Sequence, residues 1–113
     1  FKSAEDFIHD YLYPQENGNR CDVRWLEVGS AVKLRVDAVG RAFEAGVHPY
    51  TLEELDAAKH SCDLPRHDYL TVNIDGGQQG VGGDVPAVAT LKPQYKLPKM
   101  QTLTLRCALQ FKK

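Results

Sequence analysis

Residues 73–84 read NIDGGQQGVGGD, with glycine at 76, 77, 80, 82 and 83 and an aspartate at or near each end. A run this rich in glycine either cradles a phosphate in an α/β fold or ends a β-strand in a tight bend. A phosphate loop needs Lys followed by Ser or Thr after its last glycine, and Gly83 is followed by Asp84 and Val85. A dinucleotide fingerprint needs glycines at the first, third and sixth positions at the start of a helix. Counted from Gly80 the sixth position is Val85, and Pro86 then discourages a helix. What survives is a strand over residues 70–74, with Leu70, Val72 and Ile74 on one face, running into a glycine-rich bend.

The chain on either side reads the same way. Val32, Leu34, Val36 and Ala38 alternate with Lys33, Arg35 and Asp37, the period of a half-buried strand, while residues 21–26 show mixed alternation. Gly29-Ser30 between them reads as a hairpin turn. Leu103, Leu105, Cys107, Leu109 and Phe111 form the longest alternating set and predict a strand with a core-facing apolar side. One helix is indicated: Thr51-Leu52-Glu53-Glu54 is a capping box, and Leu52, Leu55 and Ala58 then fall on one face. Pro65 sits in the segment 62–67 that ends it. The expected fold is all-β with one short helix, an antiparallel β-sandwich in a single domain over residues 1–113, with 1–12 as a linker or leading segment.

Composition narrows the function classes. A 113-residue chain, 42% hydrophobic, buries a single core. Its formal charge of −1 and the lack of a basic stripe give no reason to expect nucleic acid as a partner, and no apolar run approaches a membrane span. Three cysteines, Cys21, Cys62 and Cys107, are too evenly spread for a disulfide framework or a metal site and read as reduced thiols, two of them on strands.

Three elements then carry a family resemblance. Asn73-Ile74-Asp75-Gly76 running into Gly80-Val81-Gly82-Gly83-Asp84 resembles the N-I-D-x-x-x-x-G-[IV]-G-G-D signature near the C-terminus of the large β-galactosidases of glycoside hydrolase family 2. Pro14-Gln15-Glu16-Asn17-Gly18-Asn19-Arg20 is similar to that domain's P-[QS]-E-N-G-x-R element, and residues 23–26, Val-Arg-Trp-Leu, continue it. His48-Pro49-Tyr50-Thr51 through Leu55 is similar to its [SH]-x-Y-[ST]-x-x-x-L segment. The elements occur in the family's order and cover about residues 13–111.

The resemblance implies a non-catalytic C-terminal domain, part of a galactose-mutarotase-like β-supersandwich. It implies a parent enzyme whose separate (β/α)8 barrel holds two catalytic glutamates, so no catalytic residue is expected in this chain. The implied parent reaction is retaining hydrolysis of terminal β-galactosides. The implied partners are that barrel, the carbohydrate substrate and further copies in a homo-oligomer, with no nucleic acid or membrane. No cofactor is expected in this chain, and Mg and Na are implied for the parent, which would be a cytoplasmic or periplasmic bacterial enzyme. The domain's loop at the mouth of the active site continues G-G-D-x-S-W in the family, with the Trp stacking on sugar. Here Asp84 is kept, Pro86 stands for the Ser and Ala87 for the Trp. A methyl group offers a sugar none of the flat apolar area of an indole. The resemblance thus implies Asp84 and Ala87 as the substrate-binding positions, and Ala87 as the departure that puts acceptor binding of the family's kind in question.

Other constellations carry less. His60, Cys62, Asp63, His67 and Asp68 crowd a short stretch without metal-ligand spacing. Glu16 and Asp84 could form a carboxylate pair in an independent enzyme, but Glu16 opens a turn and Asp84 suits backbone N–H groups of the glycine run. No base is spaced to activate a cysteine. Trp25 reads as core. The competing function is a self-standing carbohydrate-binding or protein-interaction β-sandwich.

Overall fold

A computed structural model describes residues 3–9, 17–79, 91–99, 102 and 104–113 of the chain. Their β-strands run β1 (Arg20–Val23), β2 (Trp25–Gly29), β3 (Lys33–Ala38), β4 (Phe43–His48), β5 (Thr71–Asp75) and β6 (Cys107–Lys112), with one α-helix, α1 (Leu52–Ala57), and three short 3-10 turns. They form two antiparallel three-stranded sheets, ordered β1-β4-β5 and β2-β3-β6. The architecture is all-β with one short helix, as the alternation predicts.

The mixed alternation of residues 21–26 has a physical cause. Arg24 is a bend, and the chain leaves one sheet at Val23 and enters the other at Trp25. Two strands with different inward faces are thereby fused into one run of sequence. Asp22, at φ 58°, marks the irregular register of β1 against β4. Gly29 turns the β2–β3 hairpin at φ 119°, where a Cβ would overlap the carbonyl oxygen of Val32. Val32 itself lies in the turn and is exposed; the strand starts at Lys33.

Both sheets contribute to one core. Val36 and Phe43, from different sheets, are 0% and 1% exposed, Ala45 joins them, and Val23, Leu26, Leu34, Ala38, Ile74 and Leu105 pack around them. The opposite face of the β2-β3-β6 sheet is polar. Lys33, Arg35 and Lys112 surround Glu27 at 3.4, 3.8 and 3.4 Å, and Arg35 also holds Asp37 at 2.7 Å. Trp25 belongs to this face. It is 39% exposed, with the Arg35 guanidinium 4.4 Å above its ring, so the expectation that it is core is corrected: strand parity aligns it with Glu27 rather than with Leu26.

The capping box of α1 forms as read, with Glu54 N–H donating to Thr51 Oγ1 (3.2 Å) and Thr51 N–H to Glu54 Oε2 (2.8 Å). Leu55 and Ala58 are buried, whereas Leu52 is exposed. The final strand is shorter than its alternation suggests. Leu105 precedes β6 and reaches the core, but Leu109 and Phe111 are 60% and 79% exposed. Leu109 was expected in the core; it sits opposite fully buried Val36, yet on the outermost strand of the sheet, beyond the cover that Val36 receives.

Candidate functional site

The centre of the β1-β4-β5 sheet is β4, whose sequence FEAGVH alternates apolar residues with Glu44, Gly46 and His48. The register pairs Glu44 with Asp75, Gly46 with Asn73 and His48 with Thr71, so these six residues share one face. Asn19 reaches the same face from the other side, donating from Nδ2 to Glu44 Oε2 at 2.8 Å. Gly18, at φ 79°, lies against the buried His48 ring, 3.5 Å from Cε1 to where its Cβ would stand. His48 in turn stacks on Tyr50, with ring centroids 5.3 Å apart. Gly46 has its own reason: a Cβ there would lie 3.2 Å from His48 Nε2. Three elements far apart in sequence thus meet on one strand: Asn17 to Arg20, His48 to Leu55, and Asn73 to Gly76.

The end of β5 is held by long-range bonds. Arg41 Nη2 donates to the Gly76 carbonyl at 2.6 Å, and Leu97 N–H donates to Gln79 Oε1 at 3.0 Å. Gly77 allows close approach of Leu97, whose Cδ2 would be 3.2 Å from a Cβ. These contacts fasten the two flanks of the run 80–90. Asp84, Pro86 and Ala87 within that run, and Glu16 in the first element, lie outside the described residues. The candidate dyad of Glu16 with Asp84 lies there too.

The charged groups favour positioning over proton transfer. Among the described residues three carboxyl groups have displaced titration, all downward. Hydrogen bonds from Lys33 and Lys112 hold Glu27 below the usual range against its desolvation. The Arg35 guanidinium does the same for Asp37, and the Thr51 N–H, helped by His67, for Glu54. A general acid requires the opposite shift. Partial desolvation against the strand, and then the neighbouring Glu44 carboxylate, raise the Cys21 thiol although the residue is exposed, so this thiol is not activated as a nucleophile. All three cysteines are free and exposed.

The stretch 60–68 is divided among local tasks. Asp63 Oδ2 accepts from the backbone N–H of Lys59 and of His60, and His67 turns away to Glu54. Among the described residues no three His, Cys, Asp or Glu side chains are placed to hold a metal ion. An open groove of about 1060 Å³ runs between the leading 3-10 turn (Ala4–Phe7) and the strands, lined in part by Glu5, Arg20, Trp25, Glu27, His48 and Arg66. Arg20 covers one side of it by lying 3.7 Å over the Phe7 ring.

Sequence reading missed Arg41, Glu44 and Gln79. Each acts through a partner more than fifteen residues away in sequence, and only the period-two pattern of Phe43, Ala45 and Val47 signalled that Glu44 belonged to a strand.

This arrangement can be set beside known proteins. The family model described as beta galactosidase small chain matches residues 2–109. The chain is 35% identical to beta-galactosidase BgaC of Bifidobacterium adolescentis over 112 residues, covering 96% of this chain and 11% of that protein. It is 38% identical to a beta-galactosidase of Halalkalibacterium halodurans over 102 residues, covering 88% of this chain and 10% of the relative. For a beta-galactosidase of Vibrio cholerae the identity is 37% over 110 residues, with coverage of 94% and 10%. The chain therefore spans about a tenth of the length of these relatives. A match over nearly all of the chain, with elements of the family assembled around β4, shows that the chain belongs to the β-galactosidase small-chain family.

Proposed function

We propose that this chain is a non-catalytic part of the C-terminal domain of a β-galactosidase of the glycoside hydrolase family 2 type, forming one portion of a galactose-mutarotase-like supersandwich. The parent enzyme hydrolyses terminal β-galactosides with retention, which requires two carboxyl groups roughly 5 Å apart. Those groups belong to a separate barrel domain, the chain's principal partner. The run 80–90, with Asp84 and Ala87, contributes to the rim of the sugar site, and the parent assembles as a homo-oligomer.

The observation that supports this reading is the joining of the Asn17–Arg20, His48–Leu55 and Asn73–Gly76 elements on one sheet, with bonds from Arg41 and Leu97 fastening the flanks of the run that follows. Mg and Na belong to the proposal for the parent enzyme, and no step is assigned to them. The proposal is tested on the full-length parent gene product. It should cleave an aryl β-galactoside with retention, and the 113-residue chain alone should cleave none. Ala87→Trp in the parent should alter transfer to sugar acceptors and leave hydrolysis of the activated substrate largely intact. A parent with no barrel, or galactosidase activity in the isolated chain, refutes the reading.

A free-standing sugar-binding module would behave differently. With Ala87 in place of an aromatic platform, galactose and lactose should bind the chain with dissociation constants on the order of millimolar or weaker. Micromolar binding by titration calorimetry would favour the module instead.

A further inference from the structure

The β2-β3-β6 sheet is unfinished in a particular way. Among the described residues no strand lies beyond β6, whose register sets Phe111 opposite Leu34, Leu109 opposite Val36 and Cys107 opposite Ala38. The apolar face therefore continues from β3 onto β6, but its cover stops: Val36 is 0% exposed, while Leu109 and Phe111 are 60% and 79% exposed. On the other face Lys112 joins Lys33 and Arg35 around Glu27, so three cations share that carboxylate and Asp37. The surplus is positive and belongs to the outer part of the sheet.

Charge along the chain sharpens this. Six of the fourteen basic residues, Lys92, Lys96, Lys99, Arg106, Lys112 and Lys113, lie from residue 91 onward, and none of the fifteen acidic residues does. All six are exposed. The near-zero net charge conceals this asymmetry. A second copy is a poor partner for such an edge, because neither strand supplies a carboxylate. An antiparallel register centred on Leu109 would set Arg106 directly opposite Lys112 at both ends of the ladder, and like charges in that position repel.

We infer that the open edge of β6 accepts an extended strand of the parent polypeptide, outside these 113 residues, in which apolar residues alternate with Asp or Glu. Its apolar residues lie opposite Leu109 and Phe111 and extend the core face; its carboxylates lie opposite Arg106 and Lys112 on the polar face. Backbone hydrogen bonds along the ladder supply affinity, and the alternation supplies register. The inference rests on the reading that the chain is part of a longer enzyme, and relatives about ten times its length contain ample sequence to supply the strand.

Two measurements test it. In the first, fluorescently labelled octapeptides alternating Val with Glu, Val with Lys, and Ser with Glu are titrated against the chain by anisotropy at low salt. The Val/Glu peptide should bind at least about tenfold more tightly than either control, and Phe111→Glu should remove that preference. Phe111 is so exposed that its variant should keep its circular dichroism and melting temperature. Equal binding of Val/Glu and Val/Lys, or indifference to Phe111→Glu, overturns the inference. In the second, the photo-crosslinker p-benzoylphenylalanine is placed at position 111 of the parent enzyme. Crosslinks within one polypeptide to an alternating apolar and acidic segment support the inference; crosslinks between β6 strands of two copies, or to no protein segment, overturn it. Galactosidase activity is assayed separately, so failure of the enzymatic reading leaves the crosslink result standing.

Discussion

His67 Nε2 lies 2.8 Å from Glu54 Oε1 and 3.0 Å from Oε2, joining the segment after the helix to the residue that caps its start. The same carboxylate accepts the Thr51 N–H at 2.8 Å, and the His67 ring stacks on Tyr69 at a 4.5 Å centroid separation. One side chain thus fixes both the entry to α1 and the return toward β5.

This coupling gives a pH dependence with a definite sign. The Thr51 N–H first, and His67 second, hold the Glu54 carboxyl below its ordinary value of 4.5. A group whose folded pKa is depressed stabilises the fold above its unfolded pKa, and that contribution is lost as pH falls through the folded pKa. Melting temperature should therefore drop as pH is lowered below about 4.5, and Glu54→Gln should make the acid limb shallower. An unchanged acid limb in the variant would show that the pair contributes nothing.

The position of the core makes a sharper contrast. Phe43, 1% exposed between the sheets, should cost about 3–5 kcal/mol when replaced by Ala, measured by urea unfolding. Leu109→Ser, at a 60% exposed site, should cost less than about 0.5 kcal/mol in the isolated chain. Comparable losses at the two sites would place Leu109 in the core after all.

Gly46→Ala puts a methyl group 3.2 Å from the Nε2 of a histidine that is itself 1% exposed. Overpacking against a ring with so little room should destabilise by about 1–3 kcal/mol. If stability rises instead, the His48 ring has space to shift, and the gain reflects the reduced backbone freedom of the unfolded chain.

The bonds flanking the glycine run should register in amide exchange. Gln79→Ala removes the acceptor for Leu97 N–H, and Arg41→Ala removes the donor to the Gly76 carbonyl. Exchange at Leu97 should accelerate in the first variant by about five- to tenfold, in line with about 1 kcal/mol for a hydrogen bond, with global stability little changed.

The elements that were legible in sequence are β3 and β5, by strict alternation, and α1, by its capping box. The strand β4 was passed over although Phe43, Ala45 and Val47 alternate, because it is central and interrupted by Gly46, a residue of low β propensity that leaves clearance for the His48 ring. Trp25 was misassigned because a bend at Arg24 resets the strand parity, and no residue in that segment announces the change of sheet. At the site, the glycine run was legible only through its resemblance to the family's motif, since its spacing by itself indicated no more than a bend after β5. Arg41, Glu44 and Gln79 were not, since hydrogen bonds between distant side chains leave no periodic trace.

The pairing of β3 with β6 also has a consequence in time. Lys33 faces Lys112 and Ala38 faces Cys107, so the second sheet closes across some seventy residues of chain, whereas the first is complete once Asp75 has been made. At a synthesis rate of about 5–20 residues per second, roughly two to seven seconds separate the two events. Throughout that interval the β3 edge that β6 will occupy is bare, and any chaperone that protects this protein on the ribosome has that edge to cover.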